Sequence, residues 1–213
     1  MLKFIEDKKG IMGITLSHMG LIVATGVLLS AVFSVIFLND WNKKADLKNI
    51  ATGLTTIVEG MDTRFFENKT TYWFPDKDYA YTLTASTEFI TVASKANFNE
   101  KLSLKERFLI KPWPRVTNPK WTSGKELHDY LKAKYGQSGN ESDPIKSADI
   151  NTVKNDLFAD RQTANKTLAL NPIRFDIDKP LFIEKIYIHF DKDDDGWDKE
   201  VDEKEDFVIL YQK

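Results

Sequence analysis

The sequence predicts an α+β fold. A long N-terminal helix, apolar in its first half and amphipathic in its second, packs on an antiparallel β-sheet head with short helices. Three observations carry the prediction. Residues 11–38 form a run of 28 without Asp, Glu, Lys or Arg. Apolar side chains then recur at Leu47, Ile50, Ala51, Leu54, Ile57, Val58 and Met61, in steps of three and one that trace one face of an α-helix. From about residue 68 the chain turns to β-branched and aromatic runs, which suit the pleated surface of a sheet.

The elements follow in order. Residues 1–10 read as a leader, 11–38 as a transmembrane or filament-core helix, and 39–213 as an extracytoplasmic β-rich head into which 39–61 continues the helix. At 1.5 Å per residue the uncharged run spans about 42 Å, more than the ~30 Å hydrocarbon layer of a bilayer. It is also longer than the apolar core of an ordinary secretory signal, about 7–15 residues. No small-x-small cleavage pair follows it, since Ala31-Val32-Phe33 ends in a bulky side chain. Lys8 and Lys9 favour a cytoplasmic leader, although Glu6 and Asp7 weaken the bias. Gly10 offers a backbone without a side chain, which a protease can take in extended form. Trp41 is placed for the membrane–water boundary. Gly53 and Gly60 weaken the amphipathic half by about 1 kcal/mol each against alanine, so its end is expected to fray or bend. The simplest reading of this segment is a signal anchor with a juxtamembrane helix.

The basic pair, the glycine and the apolar helix at Lys8-Lys9-Gly10-Ile11 carry a resemblance. Residues 1–61 resemble the type IV pilin-like proteins, the archaeal ones in particular. The resemblance implies that a membrane aspartic prepilin peptidase cuts between Gly10 and Ile11 and leaves Ile11 as the mature N-terminus. It implies a β-rich head outside the cell and other pilin-like subunits as partners. The chain departs from the bacterial pattern at the fifth mature position. Thr15 stands there in place of the glutamate thought to pair with a neighbour's amine, a glutamate that archaeal relatives often lack.

In the head, residues 79–84 and 88–92 read as strands, with a third over 107–110. Pro112 and Pro114 keep 111–115 out of a central strand, because each removes a ladder donor. Thr122-Ser123 can cap a helix running to Tyr135, with Leu127, Tyr130, Leu131 and Tyr135 on adjoining positions and Gly136 as the stop. A second short helix is expected from Ile150 to about Arg161, behind Ser147 or Asp149. Residues 137–144 read as an exposed loop. Residues 185–190 alternate, with Ile186, Ile188 and Phe190 on one face and Lys185, Tyr187 and His189 on the other. Residues 207–211 are apolar on both faces and suit a buried strand. The two are expected to form a hairpin across an acidic loop.

That loop is the strongest candidate site. Asp191, Asp193 and Asp195 stand at positions 1, 3 and 5, Gly196 at 6, Trp197 at 7 and Asp202 at 12, which fits a calcium loop. The spacing aims three carboxylates at one centre, Gly196 permits the turn and the Trp197 carbonyl adds an oxygen. Strand flanks, Asp198 at position 8 and a short acid at position 12 differ from a helix–loop–helix hand. A solvated acidic turn is the plain alternative: residues 191–206 hold ten acids and three lysines, and such a run repels itself unless solvent or a cation screens it. Asn68, Asn140 and Asn165 each open an N-x-S/T glycosylation triplet, Asn140 in the most loop-like setting. Pro112, Trp113, Pro114 and Trp121 could line a sugar- or partner-binding surface, though packed loops use the same residues more often. His18, His128 and His189 fall on separate elements without metal-ligand spacing.

Composition excludes several classes. With 30 basic and 32 acidic residues and a net charge of -2, no basic stripe serves nucleic acid. With no cysteine, disulfides, thiolate metal sites and cysteine nucleophiles are ruled out. No phosphate-cradling glycine loop, G-x-S-x-G or H-E-x-x-H occurs, so an enzyme is not expected. The expected role is a cell-surface structural or adhesive protein. The alternative is a single-pass, membrane-anchored binding module whose head depends on calcium.

Overall fold

A computed structural model describes the backbone of residues 3–95, 101–115, 120–192 and 203–213. The chain divides into two compact units, Met1–Ala45 and Asp46–Lys213.

One 60-residue helix, α1 (Lys3–Asp62), opens the chain. It begins eight residues before the expected start, so the Lys8–Ile11 backbone is helical and not extended. Nothing from residue 3 onward breaks a helix there: there is no proline, and a single glycine costs only about 1 kcal/mol. Gly53 and Gly60 also stay helical, to Asp62.

The second unit contains two sheets. The strands are β1 (Asn68–Tyr72), β2 (Tyr81–Ala85), β3 (Phe89–Lys95), β4 (Lys101–Arg107), β5 (Trp113–Arg115), β6 (Ile145–Lys146), β7 (Ile173–Phe175), β8 (Leu181–Asp191) and β9 (Glu203–Tyr211). The helices are α2 (Gly124–Tyr135) and α3 (Ile150–Leu170). One sheet runs β1-β8-β9-β5, with β6 also beside β8; the other runs β4-β3-β2-β7. The second is antiparallel throughout. The first is mixed, because β5 lies parallel to β9 and β6 parallel to β8.

The β8–β9 hairpin forms as expected, in register from Phe182↔Tyr211 to Phe190↔Glu203. Both of its faces are covered. Leu181, Ile183, Val208 and Leu210 meet Leu47, Ile50, Leu54, Val58 and Met61 of α1 and Leu83, Ile90 and Val92 of the other sheet. Ile186, Ile188, Phe190, Phe207 and Ile209 meet Leu127 and Leu131 of α2 and Val153 and Leu157 of α3. The seven-residue apolar stripe on α1 is thus the lid of one core, with only Ile57 partly exposed.

Several elements differ from expectation. The strand placed at 107–110 ends at Arg107 and begins at Lys101, where Leu102 and Leu104 alternate with polar residues. Phe108 is buried, its N–H bonded to the Glu88 carbonyl at 2.9 Å, and Leu109 is exposed. Residues 113–115 do pair, but at the sheet edge, the position a proline tolerates. The helix expected to end at about Arg161 continues to Leu170, and Leu168 in its added turns is buried. Its cap residue is Asp149, without a side-chain bond. α2 matches in detail: the Glu126 N–H donates to the Ser123 hydroxyl and the Thr122 N–H to the Glu126 carboxylate. Gly136, at φ 81, donates its N–H to the Lys132 carbonyl.

Candidate functional site

The apolar half of α1 is the first candidate. Every side chain from 18 to 35 is exposed, among them Leu21, Ile22, Val27 and Leu28 at 67%, 70%, 65% and 67%. Among the described residues it is the one helix long and apolar enough to cross a membrane. The described hydroxyls are satisfied within the helix: Thr25 donates to the Leu21 carbonyl, Ser30 to Gly26 and Ser34 to Ser30, at 2.7–2.8 Å. Such back-bonding lets a hydroxyl sit where water is absent. Trp41 is 73% exposed. Lys8, Lys9, Gly10 and Ile11 lie in α1, with only their backbone described.

The acidic loop is the second candidate. Asp191 ends β8, and Phe190 pairs with Glu203 across the hairpin. Asp193, Asp195, Trp197 and Asp202 lie outside the described residues, as does Gly196. Among the described residues no group of three or more His, Asp or Glu is placed to hold a metal ion. Nearby, Lys154 of α3 reaches Glu203 at 2.8 Å and Glu205 at 3.6 Å, and Lys192 reaches Glu203 at 3.1 Å. Lysines therefore neutralise part of the base of the hairpin.

The glycosylation triplets fall on three kinds of backbone. Asn68 opens β1 opposite Lys185. Asn165 lies inside α3, its Oδ1 buried without a partner. Asn140 sits in the loop expected for it. Its Oδ1 accepts from the Ser142 N–H and hydroxyl and from the Asp143 N–H at 2.8–3.0 Å, an Asx turn. That loop is less exposed than its composition implies. Ser138 and Gly139 are buried, and the Gly139 carbonyl accepts from the His189 N–H at 2.8 Å. A Cβ at Gly139 would come within 3.1 Å of Ile188.

The tryptophan surface does not exist. Trp113 and Trp121 are each 1% exposed and pack edge to face at 4.9 Å. They enclose Arg115, whose guanidinium lies 3.4 Å from the centre of the Trp121 ring, donates to the Trp121 carbonyl and pairs with Asp160 at 3.1 Å. Burial pulls the Arg115 pKa down, and Asp160 opposes it. This is an anchor of β5 on α3.

Two polar arrangements escaped the sequence. Lys185, 3% exposed, bonds the Asp62 carbonyl at the end of α1 and pairs with Asp206 at 2.7 Å. The last turn of α1 has no basic residue of its own, so β8 supplies the cation that the helix C-terminus favours. The second joins Glu67 to His128, Oε1 to Nε2 at 3.6 Å, while the Tyr187 N–H donates to Glu67 at 3.2 Å. His128 holds the Glu67 carboxyl below its usual range; burial opposes, and Tyr187 and His189 assist. His189 is pushed down by burial, partly offset by Glu141 and Glu67. No spacing rule links residues 67, 128 and 189; only the path of β8 past the α1–β1 connection brings them to one neighbourhood.

No protein-family model matches the chain, and no curated protein or solved structure matches it either.

Proposed function

We propose that this chain is a pilin-like cell-surface protein with a structural or adhesive role. The apolar half of α1 lies in a membrane or in the core of a filament, and the head is extracytoplasmic. A prepilin peptidase processes the chain after Gly10. The observation that carries the reading is the uninterrupted apolar helix whose side chains from 18 to 35 are all exposed. That much contiguous apolar surface calls for lipid or other helices. Small residues along it, Gly20, Ala24, Gly26, Ser30, Ala31 and Ser34, allow the close approach that helix packing in either setting uses. Gly20 and Gly26 have open space around them, so a partner helix can approach there. The lysines before Gly10 and the long apolar run after it support the processing step.

The test is the mature N-terminus. Wild type and Gly10→Val are co-expressed with a prepilin peptidase, and the purified proteins are read by mass spectrometry. Ile11 is expected first in wild type, and Met1 retained in Gly10→Val. Identical intact termini in both would leave an uncleaved anchor in place of a processed subunit.

A second reading is favoured by the β8–β9 pairing, which brings Phe190 beside Glu203 at the two ends of the acidic run. In it the uncleaved helix anchors a head that binds calcium through Asp191, Asp193, Asp195, Trp197 and Asp202 and contacts glycans or proteins. Glycans on Asn68, Asn140 or Asn165 are compatible with an external head under either reading.

A further inference from the structure

Glu67 follows α1 by five residues and faces His128 of α2, Oε1 to Nε2 at 3.6 Å. The other ring nitrogen of His128, Nδ1, lies 2.8 Å from the Ser138 carbonyl oxygen. A carbonyl oxygen only accepts, so Nδ1 carries a proton and donates it. In a neutral imidazole the lone pair then falls on Nε2, the nitrogen that faces the Glu67 carboxylate. Two acceptors would confront each other with no proton between them. Nε2 is buried and hydrogen-bonds no described group, so on the imidazole side nothing else satisfies that lone pair. One added proton resolves it. The Tyr187 N–H donates to the same Glu67 oxygen at 3.2 Å, which keeps that oxygen an acceptor and assigns the proton to His128.

We propose that Glu67 and His128 form a proton-dependent latch. With His128 protonated, it ties α2 and the turn at 137–143 to the connection between α1 and β1. As His128 loses its proton, the tie is released. The two ends are otherwise far apart in the chain, and the imidazolium bridges them, donating from Nδ1 to the Ser138 carbonyl on one side and standing as an ion pair 3.6 Å from Glu67 on the other. The turn behind Ser138 is held in turn by Asp143, whose carboxylate accepts from the Ser138 N–H at 2.9 Å and lies 3.6 Å from Lys132 of α2.

The charges around the pair favour the closed state. Glu184 of β8 adds negative potential at His128. His189 of β8 acts on both members, and through it Glu141 of the loop and Lys204 of β9 enter the same neighbourhood. Burial is the largest single influence on His128 and lowers its pKa. Glu67, the Ser138 carbonyl and Glu184 together outweigh it, so the group stays above its ordinary 6.5. Glu67 is held below its ordinary 4.5. The sign follows for each group. A raised imidazole pKa gives stability that is fully present below the unfolded value and lost as pH rises through the folded value. A depressed carboxyl pKa gives stability present above the unfolded value and lost as pH falls through the folded one. The latch is therefore strongest between pH 4.5 and 6.5, and opens on the alkaline side as the raised imidazole titrates.

The test uses the full chain in detergent micelles. Imidazole nitrogen NMR follows His128 in wild type and in Glu67→Gln, with His128→Gln to assign the signal. Glu67 is half exposed, so the amide variant keeps the fold. The His128 midpoint is expected above 6.5 in wild type and lower by about one pH unit in Glu67→Gln, with the proton left on Nδ1 once the ring is neutral. Hydrogen exchange, corrected for intrinsic rates, is expected to show residues 137–143 better protected at about pH 5.5 than at about pH 8.5 in wild type, with that difference lost in Glu67→Gln. Equal midpoints in the two proteins, a neutral ring protonated on Nε2, or wild-type protection that ignores pH would each overturn the latch.

Discussion

An arginine at Leu28 tests the setting of the apolar helix most directly. Leu28 is 67% exposed and lies ten residues inside Leu38, the last residue of the uncharged run. Ten residues at 1.5 Å each place it about 15 Å below the Leu38 end, the midplane of a ~30 Å hydrocarbon layer whose edge falls there. On the scale of helix insertion, leucine contributes about -0.5 kcal/mol at that depth and arginine about +2.5 to +3.5. Leu28→Arg should therefore cost about 3–4 kcal/mol of insertion free energy, or roughly 10²- to 10³-fold in partitioning. Leu38→Arg is the control. Leu38 is 61% exposed and adjoins Asn39 and Asp40, so an arginine there can carry its head to the interface on its apolar stem. In water both substitutions, on an exposed surface, would be worth no more than about 0.5 kcal/mol. The assay is flotation of expressed protein with membranes, followed by alkaline extraction. Wild type and Leu38→Arg should float and resist extraction, and Leu28→Arg should not. Equal behaviour of the two variants, or wild type free in the soluble fraction, would refute a lipid or fibre environment for this helix.

Two further outcomes are expected. Lys185→Met keeps the buried stem but removes the ammonium from the Asp62 carbonyl and from Asp206; it should lower stability by about 1–2 kcal/mol in denaturant unfolding, and an unmoved midpoint would mean that the cation adds nothing at the end of α1. Calorimetric titration of the full chain with calcium should release or absorb heat in wild type and not in a variant carrying Asp193→Asn and Asp195→Asn; silence in wild type, with no effect of EDTA on thermal unfolding, would leave the hairpin loop a solvated turn.

Much of this architecture was legible residue by residue. The α1 stripe could be read because burial on one helical face imposes its own period, and six of its seven positions are buried. Ser123 and Gly136 marked the ends of α2 because orphan N–H and C=O groups select those residue types locally. The β8–β9 hairpin followed from alternation and a run apolar on both faces. The misreadings share a cause. α3 runs on to Leu170 with Leu168 buried, and Ser138 and Gly139 are buried beside β8, where the Gly139 carbonyl accepts from the His189 N–H. In both, a polar or turn-like local sequence was overruled in the folded chain. The candidate site was legible where it is made of one continuous segment, as in the apolar helix. It was illegible where residues 67, 128 and 185 each serve another element.

By itself the sequence determined that a helix too apolar for water leads into an amphipathic continuation and a cysteine-free α+β head, because hydrophobic period and composition act over neighbouring residues. Only the tertiary structure decided that the β8–β9 sheet is covered on both faces, that Lys185 caps a helix ending 123 residues earlier, and that His128 meets Glu67. Electrostatic and hydrogen-bond partners are chosen by proximity in space, and proximity between such distant positions exists only after the chain has folded.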